Sequence, residues 1–323
     1  MLKYVLKRIL YMFLVLFIVV SITFFMIHSI PGDPLTASVE NLPKATRENY
    51  YARYGLDQPL FIQYIRFWKL FFTEGSLGES LKYPGRMVEE FIYKYAPVSF
   101  GLGIWGLVIG VTLGILLGIM AALHKNRLPD YLATLIALIG TCIPAFVLAS
   151  LVQYYFTVKH MWFPTAGWGK PIHYVLPVLC MTLGPIATYC RYMKSTTLDI
   201  IGQDYILTAE SKGLRRPTII LRHVLRNTLM PIVTMLAPSV AGLLGGSFII
   251  ESMFAIPGLG TYFVKAINSR DYTMVIGMNF LFTATYVFSL LVVDLLYLVI
   301  DPRVRLEVKQ NRRSVASNVP DEQ

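Results

Sequence analysis

The chain has 323 residues, of which 55% are hydrophobic and 15% are charged, and its mean hydropathy is +0.56. Such an apolar composition excludes an ordinary soluble domain and predicts an integral membrane protein. The net charge of +10 at pH 7 is explained by basic loops that lie beside anionic membrane lipid. Lipid is therefore an expected partner, and nucleic acid is not.

Six runs of the sequence contain no Asp, Glu, Lys or Arg and are long enough to cross a bilayer. A hydrocarbon core of about 30 Å needs roughly 20 apolar residues in a helix, and helices satisfy their own backbone hydrogen bonds there. We therefore predict an all-α membrane protein with six transmembrane helices. The runs are 9–27, 98–123, 131–158, 172–190, 228–250 and 272–293.

The distribution of Lys and Arg predicts the orientation, because these residues in short loops resist translocation. With the N-terminus inside, the cytoplasmic segments carry 17 of them, and the two short outer loops carry four. Both termini are therefore predicted to be cytoplasmic. This divides the chain into a first helix (about 9–30) with an extracytoplasmic segment to residue 97, a five-helix core (98–303) with a cytoplasmic loop (191–226), and a cytoplasmic tail (304–323).

The extracytoplasmic segment, residues 31–97, is too long for a simple connection, so we expect small helices packed over the outer mouth of the bundle. In the second span, glycines recur every four residues, which places them on one helical face where another helix can approach closely. A packing seam is favoured there over a pore lining. These glycines are Gly106, Gly110, Gly114 and Gly118.

Prolines lie within or near three of the other spans and should kink or interrupt them. They are Pro144, Pro177, Pro185, Pro231 and Pro238.

Catalytic motifs are missing. The sequence has no HExxH, no phosphate-binding GxxxxGK[ST] and no recognisable Ser, His and Asp set, so we predict neither an enzyme nor a metal or cofactor site. Charged residues inside the spans are also nearly absent, which argues against an ion-coupled carrier. Asp294 is the exception, and it is either a gate or proton site or, as we favour, an interfacial carboxylate paired with an Arg. A pump that needs energy must then draw it from elsewhere.

The loop 191–226 is basic and helix-patterned. Leu198, Ile201, Tyr205 and Ala209 repeat at intervals of three or four residues, which predicts one short amphipathic helix. Gly213 is predicted to end that helix in the left-handed conformation, and Pro217 to open the next one. The expected structure is helix, glycine corner, helix.

The sequence of this corner, Y-I-L-T-A-E-S-K-G-L over residues 205–214, resembles the coupling loop of binding-protein-dependent ABC importer permeases. The E-A-A-x-x-x-G pattern of that family is matched by Ala209 and Gly213. Leu207 and Thr208 stand where the pattern has glutamate and alanine, as in the peptide and nickel branch of the family. Glu210 is therefore not the glutamate of the pattern. Further matching motifs run from residues 31–34 to residues 301–303.

The resemblance is closest to the B-type membrane subunit of an oligopeptide importer, and it implies the type I ABC importer permease fold. It also implies four kinds of partner: a second homologous permease, two cytoplasmic ATPase subunits that hold ATP and Mg, an extracytoplasmic peptide-binding protein and membrane lipid. Related permeases for dipeptides, nickel chelates or glutathione are the alternatives.

The residues that the resemblance assigns to ATPase coupling are Leu198, Ile201, Tyr205, Ala209, Glu210, Lys212 and Gly213. The apolar stripe among them would enter a groove on the ATPase. Residues 31–97 would either contact the binding protein or only cap the permease itself, and the turn 254–262 is a second candidate for that contact. Substrate-binding residues are not assigned.

Overall fold

The structure is a computed structural model, and it describes residues 2–35 and 43–300. Within these ranges the backbone forms helices, turns and one isolated antiparallel bridge between Glu79 and Met87. The predicted all-α class is therefore confirmed for the described part of the chain. The tail 304–323 lies outside it. Asp294 lies within the last helix, but its side chain is outside the described part.

In chain order the helices are α1 (Leu2–His28), α2 (Lys44–Tyr54), α3 (Leu60–Glu74), α4 (Val88–Leu123), α5 (Leu128–Cys142), α6 (Ala145–Gln153), α7 (Ile172–Ile201), α8 (Asp204–Ser211), α9 (Arg216–Ile219), α10 (Leu225–Met253), α11 (Leu259–Asn268) and α12 (Tyr272–Ile300). A π-helical turn extends α6 over Tyr154–Lys159, and another joins α9 to α10 over Ile220–Val224.

Among the described residues, four helical stretches are long and apolar enough to span a membrane. They are Leu6–His28, Val88–Leu123, Ile172–Ile201 and Tyr272–Val292. The α5 and α6 pair makes a fifth if it is counted as one bent span. α10, with 29 residues, coincides with the predicted run 228–250. Six spans and cytoplasmic termini remain predictions.

The run 131–158 is broken between α5 and α6, where the helix axis bends by 103°. Pro144 has no N–H to donate, and it holds the preceding residue, Ile143, in an extended conformation. The predicted interruption at Pro144 is therefore confirmed. The prolines of α7 and α10, in contrast, lie inside continuous helices.

α4 begins ten residues before the predicted second span, at Val88, and it contains Pro97. Its first turns are held by the buried side chains of Val88, Phe91 and Tyr95. The predicted boundary at residue 97 therefore falls inside a helix. Hydropathy alone did not reveal this because Glu89, Glu90 and Lys94 interrupt the apolar run.

The expected small helices of the extracytoplasmic segment are α2 and α3, and their aromatic side chains form one core with α1, α4 and α12. Trp68 of α3 is buried, with its ring centroid 5.0 Å from that of Phe17 on α1. The ring centroid of Phe71 lies 4.7 Å from that of Phe280 on α12. We call the end of the bundle that carries α2, α3 and α11 the outer end, and the end that carries α8 and α9 the inner end, following the predicted orientation.

Candidate functional site

At the inner end, a break at Gly202 and Gln203 separates α7 from α8. α7 continues to Ile201, so Leu198 and Ile201 lie on the last turn of the long helix, whereas Tyr205 and Ala209 lie on α8. Gly202 ends α7, and the extended Gln203 precedes α8. The chain therefore does not form the single amphipathic helix that was predicted across residues 198–209. Periodicity did not reveal this because the apolar spacing continues through the break.

α8 is packed onto its own chain by a small apolar cluster. Ile206 and Ala209 are buried against Ile219 and Val224, and the end of α7 packs beside them. Ala209 is only 6% exposed, so it faces the interior of the corner. Leu207, at 55% exposure, lies on the open face of α8, whereas Tyr205, at 43% exposure, lies on the flank toward α10. Ile206 and Leu207 were not among the predicted stripe residues.

The corner turns at Gly213, which has φ +75°. Its N–H donates to the Glu210 carbonyl at 2.9 Å, and the Leu214 N–H donates to the Ala209 carbonyl at 3.3 Å. This is the helix ending that left-handed glycine favours. A Cβ at Gly213 would meet nothing within 4 Å, so the backbone conformation and not a lack of space requires glycine here. Lys212, like Glu210, is exposed beside the turn.

A hydrogen bond ties Tyr205 of α8 to the start of α10. Asn227 donates from Nδ2 to the Tyr205 hydroxyl at 3.1 Å and to the His223 carbonyl at 2.9 Å. Pro217 lies in the first turn of α9, which leads into this region. α8 is therefore braced from both sides, and a movement of α8 would be transmitted to α7 and to α10.

The four glycines of α4 face α7 at very short range. A Cβ at Gly106 would lie 2.9 Å from the Met181 Cβ, and one at Gly118 would lie 2.5 Å from the Cys190 carbonyl oxygen. Gly110 and Gly114 lie between them and are equally close to the α7 backbone and side chains. These four glycines thus form a packing surface in this structure, and they hold α4 and α7 together as one unit.

An ion pair between a buried carboxylate and a partly exposed lysine fastens the first turn of α5 to α7 near the inner end. The Lys194 ammonium contacts the Asp130 carboxylate, which also accepts a hydrogen bond from the Asn126 N–H at 3.0 Å. Lys194 donates a further bond to the Thr134 hydroxyl at 3.2 Å. Because the partners are far apart in sequence, no motif pointed to this pair. Breaking it would leave a buried charge, so it fixes how α5 sits on α7.

At the outer end, two buried carboxylates hold α11 at its two ends. Glu251 accepts a hydrogen bond from the Gly260 N–H at 2.8 Å, at the start of α11. Asp271, just after its end, accepts one from the Ser80 hydroxyl at 2.5 Å and one from the Met274 N–H at 3.1 Å. The Ser99 hydroxyl of α4 accepts a bond from the Leu259 N–H at 2.8 Å. α11 is therefore rigidly attached to α4, α10 and α12.

Glu79 is a second polar centre of the outer end. It accepts hydrogen bonds from both Arg53 and Tyr54 of α2 and, at 2.6 Å, from the Gly85 N–H. Burial raises the pKa of Glu79, but these donors outweigh the effect and hold its pKa below the usual range. Burial and this carboxylate raise the pKa of Tyr54 to about 12. The centre joins α2 to the loop before α4.

The described residues contain no group of three or more His, Cys, Asp or Glu side chains that is arranged to hold a metal ion. The polar groups of residues 2–35 and 43–300 described above act as caps, ties and braces between helices.

These long apolar helices, with a braced corner at one end and a rigid cap at the other, define a membrane protein that crosses the bilayer several times. Residues 114–306 match the family described as the binding-protein-dependent transport system inner membrane component, and residues 1–83 match the N-terminal part of such membrane components. The chain belongs to this family, and it is a membrane protein.

The relatives have permease names. The chain is 41% identical over 309 residues to the dipeptide transport system permease protein DppB of Bacillus subtilis, covering 96% of this chain and 100% of the relative. It is 35% identical over 308 residues to the oligopeptide transport system permease protein OppB of Haemophilus influenzae and over 307 residues to that of Escherichia coli K12, each alignment covering 94% of this chain and 100% of the relative.

Proposed function

We propose that this chain is the permease subunit of an ATP-driven importer that moves peptides across the cytoplasmic membrane by alternating access. The observation that carries the proposal is the similarity, over nearly the whole chain, to permeases named for dipeptide and oligopeptide transport. The chain itself is not an enzyme in this proposal. We also propose that the chain has six transmembrane spans and that both termini lie in the cytoplasm.

Oligopeptides are the proposed substrate class. Dipeptides are the second candidate, because a relative with 41% identity is named a dipeptide permease. Binding of peptides of graded length to the cognate extracytoplasmic receptor separates the two candidates. An affinity confined to dipeptides would replace the first candidate with the second.

The proposed energy source is a pair of cytoplasmic ATPase subunits, which hold ATP and Mg, and the permease is completed by a second, homologous subunit. The open face of α8, which carries Leu207, is suited to a groove on the ATPase, and Tyr205 lies on the flank toward α10. Ile206 and Ala209 would not enter that groove, because they hold α8 to the bundle. Closure of the ATPase pair would then displace α8 as a rigid piece together with the ends of α7 and α10.

Motion of α7 would carry α4 with it, because the glycine seam leaves no gap between these helices. The Asp130–Lys194 pair would carry α5 along as well. Alternating access is thus proposed as rocking of a unit made of α4, α5 and α7, driven at the inner end through α8. This division assigns the glycines a mechanical role and no contact with substrate.

Purification from membranes with a tag on this chain, followed by reconstitution, tests the proposal. The expected result is co-isolation of ATPase subunits and a second permease, and uptake of labelled peptide that requires both ATP and the receptor. Peptide transport by this chain alone, driven by an ion gradient, would overturn the proposal in favour of a secondary carrier.

A further inference from the structure

The outer end carries a basic aromatic patch in which three exposed cations lie over a group of aromatic rings that is mostly buried. The patch consists of Arg86, Phe91, Lys94, Tyr95, Tyr262 and Lys265. We propose that it is the docking surface for an acidic face of the extracytoplasmic binding protein. The inference rests on the proposed function, and it names the surface and the chemistry by which the receptor is held.

The aromatic base of the patch is contributed by two helices. The rings of Tyr95 on α4 and Tyr262 on α11 are stacked with centroids 4.2 Å apart, and the Tyr262 hydroxyl donates to the Tyr95 hydroxyl at 2.8 Å. Phe91, one turn before Tyr95, has its ring centroid 5.4 Å from that of Tyr262. The three rings therefore form one packed group across the α4–α11 junction, in which Phe91 and Tyr95 are buried and Tyr262 is partly exposed.

Each of the three rings makes a cation–π contact with one cation. The Arg86 guanidinium lies 5.9 Å from the Phe91 centroid, and Lys94 and Lys265 lie 5.4 Å and 5.3 Å from the centroids of Tyr95 and Tyr262. Cation–π contact restricts long flexible side chains and orients their charges without neutralising them. Among the described residues, none of these three cations forms an ion pair. The patch therefore keeps its positive charge for a partner.

The acidic groups of this region are directed elsewhere. Glu251 and Asp271 are buried and accept backbone N–H groups, and Glu79 is occupied by α2. Glu90, an exposed carboxylate one helical turn before Lys94 on α4, offsets one of the three positive charges, so two remain in excess. Positive charge is thus concentrated at the surface, and a complementary acidic face would be both steered to it and oriented by it.

The support under the patch is rigid. Ser99 and Glu251 fix the start of α11 to α4 and α10, so the patch needs little ordering when a partner binds. A displacement of α11 by a bound partner would be transmitted directly to α10 and α12, which pack against it.

The test measures the affinity of the purified cognate receptor for the whole importer complex in nanodiscs made of zwitterionic lipid, at low and at high salt. The double variant Lys94→Glu/Lys265→Glu should weaken binding by about tenfold or more at low salt and remove most of the salt dependence. The double variant Lys94→Arg/Lys265→Arg should retain wild-type affinity.

A matched control is Lys159→Glu. Lys159 also lies over a tyrosine ring, 5.2 Å from the Tyr155 centroid, on the other short loop predicted to be outside. The proposal requires that this variant bind the receptor normally. Equal losses at Lys159 and in the patch would overturn it, because a general charge effect would then explain both.

Three further readouts separate the remaining explanations. Unaltered melting temperature and subunit co-isolation of the Lys94→Glu/Lys265→Glu complex show that it is folded. If that complex binds the receptor as well as the wild type does, and differs only when anionic lipid is added, the patch contacts lipid headgroups and the proposal is overturned. If the wild-type complex neither binds the receptor nor takes up peptide, the proposed function itself fails.

Discussion

Ser80 and Asp271 are 191 residues apart in the chain, yet the Ser80 hydroxyl donates a 2.5 Å hydrogen bond to the buried Asp271 carboxylate. The same carboxylate accepts the N–H groups of Leu81, Lys82 and Met274, each at 3.1 Å. One side chain therefore caps the start of α12 and anchors the loop that leads into α4. It joins the extracytoplasmic segment to the transmembrane core.

Replacement Asp271→Ala should strongly destabilise the protein, because it leaves several backbone N–H groups without acceptors in a buried place. Each such group costs about 1–3 kcal/mol. Thermal unfolding of the purified complex measures the effect. Asp271→Asn keeps one acceptor oxygen and should lose less stability. An unchanged melting temperature for Asp271→Ala would contradict the assigned role.

Substitution Gly118→Ala should push α4 and α7 apart, because the new Cβ would lie 2.5 Å from the Cys190 carbonyl oxygen. Overpacking of this kind costs about 1–3 kcal/mol. Gly101 of the same helix is the matched control, since a Cβ there meets nothing within 4 Å. Gly101→Ala should leave the melting temperature unchanged or raise it. Equal effects at the two positions would show that the seam is not tightly packed.

Variant Gly213→Val should abolish substrate-stimulated ATP hydrolysis while membrane insertion stays intact. A left-handed residue other than glycine costs roughly 1–2 kcal/mol, and β-branching increases the strain. Gly213→Asn should keep partial stimulation. At the neighbouring break, Gly202 has φ −78°, and a Cβ added there would lie 3.7 Å from its nearest contact atom. Gly202→Ala should therefore behave as wild type. Wild-type stimulation in Gly213→Val would refute the assigned role of the corner.

The two faces of α8 should respond differently to substitution. Leu207→Glu alters the open face, and it should reduce co-purification of the ATPase subunits without lowering the melting temperature of the permease. Ile206→Ala removes a buried side chain and should cost about 2–5 kcal/mol of stability. If Leu207→Glu retained the ATPase subunits in full, the open face of α8 would not be the contact.

The pH dependence of stability should contain a contribution from Glu79. Its pKa is lowered in the folded protein, so its stabilising effect is present above its ordinary pKa of 4.5 and is lost as the pH falls through the lowered value. Melting temperatures measured from neutral pH to below pH 4.5 should therefore decline less steeply in Glu79→Gln, which starts from lower stability. Parallel curves for both proteins would argue against this linkage.

Sequence reasoning predicted much of the architecture because hydropathy and backbone geometry are local properties. The long apolar runs indicated membrane helices, and the four-residue glycine spacing indicated a close helix contact. The chain turns at Gly213 with the positive φ angle that was expected there. The start of α4 at Val88 was not predicted, because charged residues within its first turns mask a helix held by buried aromatic contacts.

Within the corner, the sequence by itself determined that a helix ends at Gly213, since only glycine adopts that conformation without strain. It also determined the membrane location, through the length of its apolar runs. Tertiary structure alone decided which side of α8 faces outward, because Ile219 and Val224 return from further along the chain to bury Ala209. It likewise decided the pairings of Lys194 with Asp130 and of Ser80 with Asp271, since contacts between distant residues depend on how helices pack and leave no periodic trace in the sequence.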